Sequence, residues 1–396
     1  MPLEARIRRS VPQPPIYNNP QVRAAFYQVA LLAAVLCLGY AVFTNARDNL
    51  AARHIASGFG FFEHTAGFGV NQSLISYSET DTYGRVFIVG LLNTLLVAAV
   101  GIVFATVVGF IVGIARLSNN WLLARFAAAY VEVIRNLPLL FQILFWYLAV
   151  LGALPAPRRS ISLFDVVFLS NRGIIVPRPM LGSGAGIVIG SMVMAIAMAF
   201  VLHILAVRRR SATGRKSPSL PIRIGLIVAP PLVALAVWGI PITLEWPELR
   251  GFNFVGGDRI IPEFVALVVA LIIYTASFIA EIVRAGLLAV PRGQVEAAYS
   301  LGLRPAAALR LIVVPQALRV IIPPLTSQYL NLTKNSSLAV AIGYPDFFAV
   351  FAGTTLNQTG QAIEIIAITM GVYLAISLVT SLLMNWYNAR VGSVKW

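Results

Sequence analysis

Residues able to do chemistry are few in this chain, and most of them lie in or beside apolar runs. The richest cluster is Gln328, Asn331, Thr333, Lys334, Asn335, Ser336 and Ser337. An ionised group at the centre of a bilayer costs roughly 3 kcal/mol or more, so Lys334 must face a cavity or a partner group. Two readings stand. Lys334 and Asn335 line a polar cavity, with the ammonium near a carboxylate that enters it, or Lys334 pairs with a carbonyl or acid near a helix break. Asn93, Thr94 and Gln142 are weaker candidates for the same cavity. Glu281 and Arg284, three apart, share a helix face and can pair, which would neutralise both charges near a membrane interface.

Bond-breaking chemistry has little to work with. Cys37 is the only cysteine, so no disulfide framework or thiolate metal site forms within the chain. His54, His64 and His203 are scattered without ligand spacing, and there is no H-E-x-x-H, Ser/His arrangement or intramembrane Asp pair. No phosphate-cradling G-x-x-x-x-G-K-[ST] occurs. Gly214-Arg215-Lys216-Ser217 lacks the earlier glycine and the strand context. The chain is therefore expected not to be an enzyme, to bind no cofactor or metal and to hydrolyse no ATP by itself.

The elements that must position these residues are apolar helices. Apolar residues make up 58% of the 396 and charged residues 11%, with a mean hydropathy of +0.81. Soluble domains carry about a quarter charged residues, so a soluble fold would lack a polar exterior. A spanning helix takes about 20 apolar residues. Stretches at 24–42, 86–115, 137–154, 185–207, 222–240, 261–282, 320–342 and 362–386 qualify, which predicts an all-α polytopic membrane protein of about eight transmembrane helices. The seventh is expected to be the least regular, interrupted by Pro323, Pro324, Lys334 and Asn335. Alternating ten-residue segments are absent, so a β-barrel is a poor alternative. The aromatic pairs Trp146-Tyr147 and Trp386-Tyr387 suit interface belts.

Charge counting orients the chain. With the N-terminus inside, the inner segments hold 20 of the 30 Lys and Arg, the outer ones nine, and Lys334 lies in a span. Eleven of the 15 acids then fall outside and four inside. Positive-inside bias favours both termini in the cytoplasm, although Arg158, Arg159, Arg172 and Arg178 fall in an outer loop. Membrane topology thus accounts for most of the +15 net charge, and membrane lipid rather than nucleic acid is the expected surroundings.

Five pieces follow. Residues 1–23 form a basic cytoplasmic tail, too long and polar for a cleavable signal. Residues 24–85 carry an extra span and a Gly-, Ser- and Phe-rich connection expected to cover the helix ends. Residues 86–155 and 262–396 form two parts of a core, separated by inserted loops and two spans at 156–261. Asn119 or Asn120 is placed to cap a helix with Trp121, Phe126 and Tyr130 at helical spacing, and Pro138 suits the start of the next. Within 290–316, Pro291 and Gly293 break a long helix, 294–300 starts another, and Gly302 is its expected left-handed cap. Pro305 suits the first turn of a second short helix. Ala297 and Ala298 leave little side chain, so that helix's backbone can approach a partner closely.

The runs E-x-x-R-x-G from Glu281, G-Q-V-E-A-A-Y-S-L-G from Gly293 and P-Q-A-L-R from Pro315 resemble the coupling loop of ABC-importer permeases of the polar amino-acid type. N-T-L at Asn93 and R-N-L-P-L-L-F-Q-I-L-F-W-Y from Arg135 to Tyr147 resemble the first part of their core. The insertion and added N-terminal span are similar to the large permease subunits of general L-amino-acid uptake systems. The resemblance implies a five-helix type I core plus one N-terminal and two inserted helices, in a bacterial inner membrane. It implies a cytoplasmic ABC ATPase dimer that binds the ATP and Mg, a second related permease subunit forming a heterodimer, and a periplasmic amino-acid-binding protein. Gly293, Gln294, Glu296, Ala297, Ala298, Gly302 and Arg304 would couple to the ATPase. Gln328, Asn331, Lys334 and Asn335, with Asn93, Thr94 and Gln142, are candidates for the path, opened by alternating access. The rival reading is an ion-coupled secondary transporter using Glu281, Glu296 or Lys334, although Glu296 lies in an exposed loop.

Overall fold

The computed structural model describes residues 20–52, 58–182, 184–213, 220–238 and 242–392. The tail therefore lies outside the described residues up to position 19, as does 214–219 of the basic loop. The apolar runs form helices because a helix satisfies its backbone amides and carbonyls within its own segment inside a bilayer. In chain order these are α1 (Pro20–Ala52), α2 (Tyr83–Ala115), α3 (Trp121–Asn136), α4 (Leu139–Leu144), α5 (Ala185–Thr213), α6 (Leu220–Trp238), α7 (Pro262–Leu288), α8 (Arg292–Ser300), α9 (Pro305–Ala308), α10 (Val314–Asn335), α11 (Leu356–Thr359) and α12 (Ala362–Gly392).

Five described helical stretches are long and apolar enough to cross a membrane: Val22–Asn45, Tyr83–Ala115, Pro262–Leu288, Pro305–Ile342 and Ala362–Arg390. A sixth arises if the pair Trp121–Asn136 and Leu139–Leu151, bent by 106°, is one span. The two inserted stretches also form helices, and among the described residues they contribute the shorter apolar stretches Ala185–Val201 and Ile227–Val237. The fold is thus the expected helical membrane architecture, with five such spans, or six with the bent pair, among the described residues.

The core is the α2–α7 pair, with α10, α3 and α4 against α7 and α12 against α10. Small residues at four-residue spacing on α2, namely Gly101, Ala105, Gly109 and Gly113, let the backbones approach. A Cβ on Gly109 would meet Ile279 at 2.6 Å, and one on Gly113 the Ala280 carbonyl at 2.7 Å. By contrast, the apolar window of α1 buries nothing within this chain. The α5–α6 hairpin meets through small residues, with Ala195 and Ala234 buried.

Two helix boundaries differ from expectation. The seventh span is not interrupted at Pro323 and Pro324, because α10 runs through both; membrane helices tolerate proline where neighbours satisfy the freed groups. Nor is the helix beginning at Pro305 a separate short one. It continues through a π-helical turn, Leu309–Val313, into α10 and then a 3-10 segment, Ser336–Ile342. Pro315, two residues past the end of the π turn, lacks an amide to donate.

At the end where α2 begins, residues 58–82 fold over the bundle as expected. Phe61, buried, packs its ring on Phe62 and toward Phe351, and Phe347 stacks on Phe351 at 5.2 Å. The segment after Ile342 returns into the bundle as a π-helical stretch, Phe348–Thr355, followed by α11. Tyr83 donates to Gln358 at 2.7 Å, and Glu364 accepts from the Gly58 amide at 2.6 Å.

The inserted loops contain strands that helical reasoning missed: β1 (Ile161–Leu163), β2 (Val167–Ser170), β3 (Gly173–Val176), β4 (Arg178–Leu181), β5 (Ile242–Glu245), β6 (Glu248–Arg250), β7 (Asn253–Val255) and β8 (Asp258–Ile260). The order β1-β2-β3-β8 makes one antiparallel sheet, while β4 pairs with β5 and β6 with β7. The two loops flanking the α5–α6 hairpin thereby close on each other beside the start of α7.

Candidate functional site

The first candidate is the finger formed by α8 and α9 at the end where α7 finishes. Proline is the residue preceding α8, and Gly302 adopts φ +75° just past its end. The Leu303 amide reaches back over Gly302 to the Ala298 carbonyl at 3.1 Å, the closing bond of a Schellman-type cap. Gly302 is thus the left-handed cap that the sequence indicated. Gly293, Gln294, Glu296, Ala297 and Arg304 are exposed.

Ala298 is not exposed. At 1% exposure it packs inside the finger, where α8 meets α9 and the π turn. Its small side chain therefore lets the finger close on itself rather than letting a partner approach, which corrects the expectation for that residue. Sequence reasoning also missed Leu301, 81% exposed, and Tyr299, 50% exposed. The signal was available: two large apolar groups beside a helix-ending glycine in an otherwise polar loop.

Behind the finger, Glu281 pairs with Arg284 as expected, at 2.6 Å and 3.2 Å to two guanidinium nitrogens. It also pairs with Arg116, the residue that closes α2. One carboxylate therefore joins the ends of α2 and α7. Asn120 caps α3, its side-chain oxygen accepting from the Leu122 and Leu123 amides at 3.0 and 3.2 Å. A cavity of about 390 Å³ lies between α3 and α7, lined in part by Arg116, Glu132, Arg135, Asn136 and Glu281.

The path candidates separate into two groups. Asn93 and Thr94 are fully buried within this chain. The Asn93 amide donates to the carbonyls of Gln72 and Pro345 at 2.8 and 2.9 Å, and the Thr94 hydroxyl accepts the Phe347 amide at 2.9 Å. Both hold the returning segment after Ile342. Gln142 donates to the carbonyls of Ile134 and Leu137, each at 3.0 Å, across the bend between α3 and α4. These three are engaged in holding the fold.

The other group lies open. Ser327, Asn331 and Lys334 are exposed on α10 at spacings of four and three, which places them on one helix face, with Gln328 and Asn335 half-buried beside them. Among the described residues no carboxylate forms an ion pair with Lys334. Trp386 lies exposed under Arg390, whose guanidinium is 3.9 Å from the ring centre. Tyr147, by contrast, is tied to Glu263 at 3.0 Å.

Comparison with known proteins places this architecture. The model of the family "Binding-protein-dependent transport system inner membrane component" matches residues 217–393. The chain is 55% identical over 379 residues to the putative amino-acid ABC transporter permease protein YhdX of Escherichia coli (strain K12), covering 96% of each. It is 51% identical to the general L-amino acid transport system permease protein AapQ of Rhizobium johnstonii, covering 95% of this chain and 94% of that one. It is 41% identical to the glutamate/glutamine/aspartate/asparagine transport system permease protein BztB of Rhodobacter capsulatus, covering 95% of each. The chain belongs to the family of binding-protein-dependent ABC transport permeases. It is a multi-pass membrane protein and a transport subunit rather than an enzyme, and its family works with an ABC ATPase and a binding protein. None of these likenesses supports an ion-coupled carrier.

Proposed function

We propose that this chain is the large permease subunit of an ATP-driven importer of L-amino acids in a bacterial inner membrane, with both termini in the cytoplasm. The observation that carries the path is the polar stripe Ser327–Asn331–Lys334 on a membrane-spanning helix, left uncovered by this chain. Lipid is a costly neighbour for an ammonium, so the stripe faces water and a second permease subunit. A cation there suits a substrate carboxylate. The relatives' names supply the amino-acid class, and the second subunit is a related chain, making a heterodimer.

The exposed side of the finger, with Gly293, Gln294, Glu296, Ala297, Arg304, Tyr299 and Leu301, is the docking element for a cytoplasmic ATPase dimer that binds ATP and Mg. The finger continues from the end of α7, which Glu281 ties to the end of α2, and that connection supports this reading. Alternating access follows when the ATPases close and separate.

Reconstitution in proteoliposomes tests the proposal. Uptake of labelled L-amino acids should require the binding protein and ATP, stop with an ATPase-dead partner and survive an ionophore. Uptake that follows an ion gradient and ignores the dead ATPase refutes it.

A further inference from the structure

The β platform of the inserted loops has no part in the transport reading so far, and it carries a strained, exposed aromatic. Strand β8 leads through Ile261 into α7. Ile174 pairs with Ile260 and Val176 with Asp258, so the β2–β3 turn lies toward α7 and the β1–β2 turn points away from it. That far turn is closed by the Val166 amide on the Leu163 carbonyl at 3.2 Å, with Phe164 at φ 56° and Asp165 at φ 55°.

Turns with two left-handed residues usually take Asn-Gly, and a bulky side chain at positive φ is a conformational outlier. Phe164 is nevertheless 96% exposed, so the strain gains no burial. The Ser162 hydroxyl steadies the turn by donating to the Asp165 carboxylate at 2.9 Å. Strain maintained without packing is a reason to look for function. A second hairpin tip, between β6 and β7, presents Phe252, with Arg158 stacked 4.0 Å from its ring centre. The Phe168 and Phe254 rings, 4.7 Å apart, tie that hairpin to the sheet, making one platform with Phe252 at the end beside the β2–β3 turn and Phe164 at the other.

The surface is basic. Residues 155–181 and 242–260 hold Arg158, Arg159, Arg172, Arg178, Arg250 and Arg259 against Asp165, Glu245, Glu248 and Asp258. Two of those acids already pair, Asp258 with Arg178 and Glu248 with Arg250. A cavity of about 340 Å³ between the β7 hairpin and the sheet is lined by Arg172, Arg259 and Asn253, a donor set that fits a carboxylate. Exposed aromatic anchors with arginine around them are the chemistry of protein hot spots. A tip that projects away from the start of a membrane helix suits a soluble partner better than lipid.

We propose that this platform is the docking surface for the soluble binding protein, with Phe164 as the anchor and the Arg172–Arg259 cavity receiving a carboxylate from an acidic rim on that partner. The inference rests on the importer reading. It is tested on the complete transporter in nanodiscs, with its ATPase and second permease, by titrating the system's binding protein and measuring stimulated ATP hydrolysis. Phe164→Ser, and separately Arg172→Glu with Arg259→Glu, should raise the half-saturating binding-protein concentration at least tenfold, leaving basal and maximal rates unchanged. Photoactivated p-benzoylphenylalanine at position 164 should attach to the binding protein. Unchanged half-saturation, or attachment to lipid alone, overturns the docking inference while the importer reading stands. A wild-type complex that its binding protein does not stimulate overturns both.

Discussion

Arg116, the residue that closes α2, is ion-paired to Glu281, on the last two turns of α7. The same carboxylate holds Arg284. The two most closely packed helices of the core are therefore joined at the finger end by one acid between two bases. Such an arrangement keeps three charges compatible with a nearby membrane.

Removing the acid should cost more than removing one base, because Glu281→Ala leaves two guanidiniums facing each other. The group is partly solvated, so the expected loss is about 1–2 kcal/mol, below the range for a fully buried pair. Thermal unfolding of the purified complex checks this. Arg116→Met combined with Glu281→Met should recover part of the loss.

Gly113→Leu should prevent assembly of the core, since its Cβ alone would lie 2.7 Å from the Ala280 carbonyl. Gly293→Ala meets nothing within 4 Å and should leave the protein monodisperse. Fluorescence-detected size exclusion distinguishes the two variants; equal profiles would refute the close α2–α7 contact.

On the finger, Glu296→Ala and Gly302→Asp should each abolish ATP-coupled uptake while membrane insertion is kept. The left-handed position costs an L-residue about 1–2 kcal/mol, which strains the cap without unfolding a bundle of this size. Uptake assays paired with membrane quantification give the answer, and normal uptake by both variants would refute docking through the finger.

Lys334→Met should impair transport with little change in stability, because Lys334 is exposed on α10 and no described acid pairs with it. Asn93→Ala should do the reverse. It removes a donor to two carbonyls in the interior, at about 1–3 kcal/mol for each buried group left unsatisfied. Melting curves and uptake rates measured together should separate the pair.

Asp346→Ala should loosen the returning segment. Asp346 is fully buried and accepts from the Ala349 amide at 2.8 Å and the Tyr373 hydroxyl at 3.0 Å. Leaving those two donors unpaired costs about 1–3 kcal/mol each. A lower melting temperature and faster proteolysis near Phe347 are expected, with Asp346→Asn milder because its oxygen still accepts.

The sequence by itself determined the membrane class, most helix positions, a cap at Asn119 or Asn120, the Gly302 cap and the Glu281–Arg284 pair. Each depends on composition or on neighbours within a few residues: apolar run length, cap chemistry, three-residue spacing. Only the tertiary structure decided which polar residues are free to act. Asn93, Thr94, Asn331 and Lys334 were all candidates for one path, the first two the weaker, and the structure covers those two with a segment some 250 positions away while the last two stay open. The platform was illegible for the same reason, since Ile174 finds its strand partner at Ile260, across two intervening helices. Burial and strand pairing are set by what folds against a residue, and hydropathy along a single helix carries no record of that partner.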